Sequence, residues 1–76
     1  MSLTDDMVDA IDRLPELFVN DDGSVDVDAL YNAFVDANYD MCIKTGFAVV
    51  TPVIVFKTAA DAAAQLWVQR HVQSRS

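Results

Sequence analysis

The sequence predicts an all-α fold: a small helical protein of two to three helices, with a long C-terminal apolar helix that is broken or kinked near Thr51-Pro52. Two observations support this prediction. Apolar residues recur at alternating spacings of three and four in two long stretches, which is the period of one face of an α-helix. Residues that cap, end or interrupt helices fall at the borders of these stretches.

The first helix is predicted from its cap and its apolar face. Thr4 is expected to cap it, and Asp5 and Asp6 then occupy the first turn, where the helix dipole favours acids. Pro15 lacks the N–H that a helix interior needs, so it is expected to end or bend the helix. The apolar face consists of Met7, Val8, Ile11 and Leu14.

A turn and a second helix follow. Residues 20–24 read NDDGS, the clearest turn signal in the chain, and Asp26 or Ser24 is expected to cap the next helix. A calcium loop here is disfavoured. If Gly23 is aligned with the glycine at the sixth position of such a loop, Phe18 and Ala29 fall where the loop needs its strongest ligands. The core stripe of the second helix is Val27, Leu30, Phe34, Ala37 and Met41, and a polar stripe is formed by Asp28, Asn32, Asp36 and Asp40.

The last helix has an ambiguous start and a clear continuation. Residues 47–56 are rich in β-formers, so helix and strand both stay open there, although Thr51-Pro52 fits a cap followed by a first helical residue. Small residues between Ala59 and Ala64 let another backbone approach closely. The apolar stripe of this helix is Val53, Phe56, Ala60, Ala63 and Trp67. Because both long helices carry such stripes, we expect them to pack as an antiparallel hairpin or a kinked rod.

Length and composition indicate one domain, residues 1–76, that needs a partner. The chain is 53% hydrophobic and 22% charged, which is unusually apolar for a protein of 76 residues. Chains of this size bury only about 60% of their unfolded surface, so a lone core gives marginal stability. Association with other chains is therefore expected.

Charge divides the chain into two halves. Residues 1–43 hold eleven acids and Arg13, a net charge of −10, whereas residues 44–76 hold four bases and Asp61, a net charge of +3. Every acid except Glu16 is aspartate, and Lys44 and Lys57 are the lysines. Such a surface suits concentrated salt, where the Debye length falls to about 3 Å at 1 M and crowded carboxylates no longer repel. A halophilic source is therefore predicted.

The sequence contains no pattern that predicts catalysis, a metal site or a cofactor. Cys42 and His71 occur once each, and neither has a second soft or imidazole ligand at a workable spacing. Cys42 is expected to be a small buried side chain and His71 a surface residue. The basic tail of Arg70, His71 and Arg75 is too small a cluster of cations for direct nucleic-acid binding to be expected.

These observations favour a non-enzymatic structural subunit of a multimeric assembly. The concrete expectation is a small capsid- or tail-associated virion protein of a virus infecting a halophile, located in the virion or the host cytoplasm. One alternative is a membrane-associated accessory subunit in which residues 46–72 form the lipid-contacting segment and Trp67 is an interfacial anchor. Another is a helical adaptor or regulator that binds one partner protein. The N terminus lacks the basic start of a secretion signal. The predicted interaction face comprises Val53, Phe56, Ala60, Ala63, Trp67, Leu30, Phe34 and Met41.

Overall fold

A computed structural model describes residues 2–46 and 51–75, with the side chains of residues 72–75 left undescribed, and this part of the chain forms four helices. Helix α1 spans Leu3–Arg13, α2 spans Pro15–Phe18, α3 spans Val27–Lys44 and α4 spans Val53–Arg75. The predicted all-α class is confirmed.

The helix borders follow from local chemistry. The prediction that Thr4 caps α1 is wrong, because the Asp5 N–H donates to the Ser2 hydroxyl at 3.1 Å and the helix begins two residues earlier. Pro15 opens α2 as its first residue, where a missing N–H costs nothing. Asp26 caps α3 by accepting a hydrogen bond from the Ala29 N–H at 3.1 Å. One of the two predicted caps of this helix is thus confirmed.

Helices α1 and α3 both pack on α4, and they run in opposite directions along it. Helix α1 runs parallel to α4, since Leu3 lies beside Phe56 and Asp12 is hydrogen-bonded to Trp67. Helix α3 runs antiparallel to α4: Asp28 pairs with Lys57, whereas Met41, thirteen residues further along α3, lines a groove with Thr51 and Val55. The antiparallel pairing agrees with the two apolar stripes, whereas the parallel helix α1 was not predicted.

The core lies where the three long helices overlap. Met7, Ile11 and Leu30 have no exposed surface, and neither do Ala60 and Ala63 of α4. Helix α1 packs more extensively on α4 than α3 does, so the small residues of α4 admit a helix of the same chain. The buried cluster consists of Met7, Val8, Ile11, Phe18, Leu30, Phe56, Ala59, Ala60, Ala63 and Trp67.

The predicted break in the apolar segment falls partly outside the described residues. Helix α3 ends at Lys44, and Gly46 has a φ of 67°, a left-handed conformation that suits glycine after a helix. Helix α4 begins at Val53, directly after Pro52. Residues 47–50 are not described, so a kink near Thr51-Pro52 stays a prediction, as does the choice between helix and strand for those four residues. Val53 to Phe56 are helical.

The molecule is longer than a compact domain of its size. Its principal extents are 48 × 21 × 19 Å and its radius of gyration is 13.3 Å, against about 11.4 Å expected for this length. Helix α3 continues 16 residues past Asp28 to Lys44, whereas α4 begins only four residues before Lys57. The C-terminal part of α3 therefore extends past the start of α4. We call this C-terminal part of α3 the overhang.

Candidate interaction surface

The apolar stripe of α3 continues beyond the core that covers its first half. Leu30 is completely buried and Phe34 is half-buried, whereas Ala37 is exposed and Met41 is 59% exposed. All four share the stripe predicted to face a core. Ala37 and Met41 line a groove together with Thr51 and Val55, but this contact leaves more than half of the Met41 side chain exposed. The sequence pattern of a buried helix face therefore ends on the surface.

The first turn of α4 is exposed at the same end of the molecule. Val53 is 53% exposed, Ile54 is 69% exposed and Val55 is 42% exposed. An exposed leucine or valine alone is ordinary, but consecutive large apolar residues beside an uncovered stripe form a patch. We define the overhang surface as Ala37, Met41, Val53, Ile54 and Val55.

Two grooves flank the first turn of α4 where it meets α3. One has a volume of about 480 Å³, and eight of its nine lining residues are uncharged, the exception being Asp6. Phe34, Met41 and Val55 form its apolar walls. The other has a volume of about 700 Å³ and contains polar groups from Asp28 and Lys57 beside Ile54. Both grooves are open to solvent, and each is large enough to accept the side chains along one face of another helix.

Charges of both signs border the overhang surface. Lys57 Nζ lies 3.6 Å from an Asp28 carboxylate oxygen and 5.8 Å from the centre of the Tyr31 ring. Residues 41–60 contain Lys44 and Lys57 and no acid, in a chain that has twelve acids. The neighbouring stretch of α3 adds the exposed acids Asp36 and Asp40, so groups of both signs surround the surface.

A second apolar surface lies at the corner between α1 and α2. Leu14 is 42% exposed and Leu17 is 58% exposed. This corner lies near Trp67, because Leu14 is two residues after Asp12, which is hydrogen-bonded to Trp67. Trp67 is fourteen residues along α4 from Val53. That separation is about 21 Å along the helix axis. The corner surface, Leu14 and Leu17, is thus distinct from the overhang surface.

A hydrogen-bonded aromatic cluster joins α1 to the last third of α4. The Trp67 indole N–H donates to an Asp12 carboxylate oxygen at 2.7 Å, and the indole is almost fully buried. The His71 ring stacks on Trp67 with centroids 3.7 Å apart, and its Nδ1 donates to the Trp67 carbonyl at 2.9 Å. The expected surface position of His71 agrees with its exposure. Trp67 therefore fixes the register of two helices inside the chain.

The structure divides the interaction face predicted from the sequence. Five of its residues are buried in the chain's own core, and Phe34 is partly buried against it. Met41 and Val53 are exposed and belong to the overhang surface. The buried five are Leu30, Phe56, Ala60, Ala63 and Trp67. Sequence reasoning missed Ile54 and Val55, because neither lies on the stripe, although their position beside Pro52 at a helix start was a usable signal.

The structure places the cysteine in the interior and part of the basic tail on the surface. Arg70 is exposed, and the Arg75 side chain lies outside the described residues. Cys42 is buried, as expected for a small apolar side chain. Asp22 accepts hydrogen bonds from the Ser24 hydroxyl at 2.6 Å and the Ser24 N–H at 2.9 Å, which lower the pKa of its carboxyl. Within the described ranges, no group of three His, Cys, Asp or Glu side chains is arranged to hold a metal ion.

No family model, no curated protein and no solved structure matches the chain. Among residues 2–46 and 51–75, no helix combines the length and apolar character needed to cross a membrane. What the structure presents is two uncovered apolar surfaces on a small helical core.

The exposed area is large for the mass. The chain of 8.4 kDa has 5254 Å² of accessible surface, whereas a compact monomer of that mass exposes about 4,600 Å². The excess of roughly 650 Å² is close to the about 800 Å² that each partner buries in a standard protein–protein interface. The protein therefore exposes more surface than a compact monomer of its mass.

Proposed function

We propose that this chain is a non-enzymatic structural subunit of a multimeric assembly, joined to its neighbours through the overhang surface and the corner surface. One observation carries the proposal: the core stripe of α3 continues onto Met41, which is 59% exposed, beside the exposed first turn of α4. A stripe with the pattern of a buried helix face indicates a cover that comes from another chain.

Two further features support an assembly over a single binary complex. The overhang and corner surfaces lie about 21 Å apart along α4, so one neighbour on each is sterically compatible. A subunit that contacts neighbours through two surfaces can extend an assembly, whereas a subunit with one self-complementary surface forms only a dimer. The excess accessible surface of the chain is consistent with this.

The assembly that the composition favours is the virion of a virus that infects a halophile, with the chain as a capsid- or tail-associated component. Eleven aspartates and one glutamate against five bases suit concentrated salt, where screening removes their mutual repulsion. Subunits below about 80 residues gain much of their stability from contact with other chains. Under this proposal the exposed aspartates face the brine, and the overhang and corner surfaces face neighbouring subunits.

The proposal is tested by light scattering after size-exclusion chromatography of the full chain at about 1 M salt, where charge repulsion is screened, with and without a mild detergent. We expect a particle whose mass is several times that of the 8.4 kDa chain, unchanged by detergent. A mass of one or two chains at every concentration overturns the proposal and favours the adaptor. A particle that forms only with detergent also overturns it, in favour of a membrane-associated accessory subunit.

Two variants make the same experiment specific to the two surfaces. Ile54→Glu and Leu17→Glu each put a charge on one surface, and together they are expected to leave monomers, because a buried unpaired charge is costly. Gln65→Glu is the matched control, since it adds the same charge at an exposed residue outside both surfaces. A particle that survives the double substitution contradicts the assignment of the contact surfaces.

A further inference from the structure

We propose that the Asp22–Gly23 dipeptide is a site of spontaneous covalent modification, at which aspartate converts to isoaspartate, and that the folded turn restrains this conversion. The reaction goes beyond the proposed assembly and does not depend on it. Three features of the turn between α2 and α3 support it: its sequence, the hydrogen bonds of the two reacting groups, and the bonds that close the turn.

The conversion needs only a carboxyl group, the next backbone nitrogen and water. The Gly23 nitrogen attacks the side-chain carbonyl carbon of Asp22, a C–N bond forms, and the carboxyl OH and the amide proton leave as one water molecule. The product is a five-membered cyclic imide. Water then breaks the C–N bond between Gly23 and the backbone carbonyl of Asp22. The chain afterwards continues through the former side chain, and the former backbone carbonyl becomes the free carboxyl group.

The sequence and the backbone make Asp22 the most reactive aspartate of the chain. It is the aspartate that glycine follows, and both residues are exposed. Gly23 has no Cβ to obstruct the attack, and beyond its chain neighbours no atom lies within 4 Å of the place where a Cβ would be. Eight of the other ten aspartates lie in α1, α3 and α4, where the helix hydrogen bonds resist the backbone rotation that ring closure needs.

The folded turn engages both reacting groups in other bonds. The Ser24 hydroxyl and N–H donate to an Asp22 carboxylate oxygen at 2.6 and 2.9 Å. The Gly23 N–H donates to the Asn20 carbonyl at 3.0 Å. Because the Ser24 bonds stabilise the ionised form, they lower the pKa of the Asp22 carboxyl, whereas ring closure requires the protonated form. The fold therefore depletes the reactive acid and holds the nucleophile in a hydrogen bond.

Isoaspartate is expected to weaken the junction between α2 and α3. The Asn20 N–H donates to the Ser24 carbonyl at 2.8 Å, and the Asp26 N–H donates to the Phe18 carbonyl at 2.7 Å. The modified bond lies inside this closed turn, and the extra backbone carbon of isoaspartate lengthens the turn and strains both bonds. Because Asp26 caps α3 and Phe18 is buried in the core, we expect the modified chain to be less stable.

The test is the rate of isoaspartate formation in the full chain at about pH 6, where about one ordinary aspartate carboxyl in a hundred is protonated. Peptides of the incubated protein are separated by liquid chromatography, and fragmentation in a mass spectrometer locates isoaspartate. We expect it at Asp22 in the denatured chain, and several-fold more slowly in the folded chain. Folded Ser24→Ala is expected to react several-fold faster than the folded unmodified protein, because the shorter of the two Ser24 bonds is lost.

Two variants that keep the charge identify the site. Asp22→Glu is expected to abolish the product, because glutamate must close a six-membered ring, which forms far more slowly. Asp21→Glu is the matched control one residue earlier and is expected to react like the unmodified protein. A denatured chain that reacts no faster at Asp22 than at its other aspartates overturns the site. Equal rates in the folded and denatured chains overturn the restraint, as does a Ser24→Ala variant that circular dichroism shows to be folded and that reacts no faster.

Discussion

The hydrogen bond between Trp67 and Asp12 is predicted to hold α1 in register on α4. The 2.7 Å bond joins residues 55 positions apart, and it satisfies an indole N–H on a side chain that is only 8% exposed. A bond to a charged acceptor contributes about 1.5–3 kcal/mol net. Because Asp12 itself is exposed, we place this bond at the lower end, about 1.5 kcal/mol.

The perturbation is a double-mutant cycle with Asp12→Ala and Trp67→Phe. Replacement of Asp12 removes the acceptor, and phenylalanine removes the N–H donor while it keeps an aromatic ring. The coupling free energy of the two changes isolates their interaction from the cost of the smaller ring. We expect about 1.5 kcal/mol of coupling, equivalent to about 6–12 °C in melting temperature for a domain of this size.

The assay is thermal and urea unfolding followed by far-ultraviolet circular dichroism, at one fixed chain concentration because association raises apparent stability. Asp9→Ala is the matched control on the same helix. Asp9 pairs with Arg13 at 3.0 Å, and both side chains are largely exposed, so this pair contributes about 0.5 kcal/mol or less. A coupling free energy below about 0.5 kcal/mol for Asp12 and Trp67 would refute the assignment of register to their hydrogen bond.

Two further predictions follow from the same geometry. Ala63 is completely buried, so Ala63→Asp is expected to unfold the chain, because an unpaired buried charge costs several kcal/mol. A variant that circular dichroism shows to be folded would contradict the placement of Ala63 in the core. Ser24→Ala removes the main hydrogen bond that lowers the pKa of Asp22, so that pKa is expected to rise toward its ordinary value in a carbon-13 NMR titration. Because the folded-state pKa of Asp22 is depressed, the stabilisation by this carboxylate is present above about pH 4 and is lost as pH falls through the folded pKa. An unchanged Asp22 pKa in the Ser24→Ala variant would show that the Ser24 hydroxyl does not cause the depression.

Local patterns in the sequence predicted the helices well. The three-four stripes, the NDDGS turn and the caps are encoded within a few residues of where they act, and so Asp26 and Pro15 were placed correctly. The cap of α1 was misplaced by two residues because Ser2 and Thr4 are both acceptable caps, and local chemistry distinguishes them poorly.

Local sequence patterns did not predict how the helices align with one another along their lengths. The stripe of α3 predicts which face is apolar, but it does not say how far along the helix the cover extends. Leu30 and Met41 therefore look equivalent in the sequence and differ completely in exposure. The parallel packing of α1 on α4 through Asp12 and Trp67 was missed for the same reason. Ala63 was included in the predicted interaction face and is buried in the chain's own core, because small residues suit close packing within one chain as well as between chains.

The central claim is that another chain covers the overhang surface, and the oxidation rate of Met41 tests it most directly. Met41 is 59% exposed in the single chain, whereas Met7 has no exposed surface and is an internal control. Sulfoxide formation by dilute peroxide is followed by mass spectrometry in the assembled protein and in the dispersed variant with both Ile54→Glu and Leu17→Glu. We predict that Met41 oxidises several-fold more slowly in the assembly, while Met7 stays slow in both. Equal rates for Met41 in the two forms would contradict the claim.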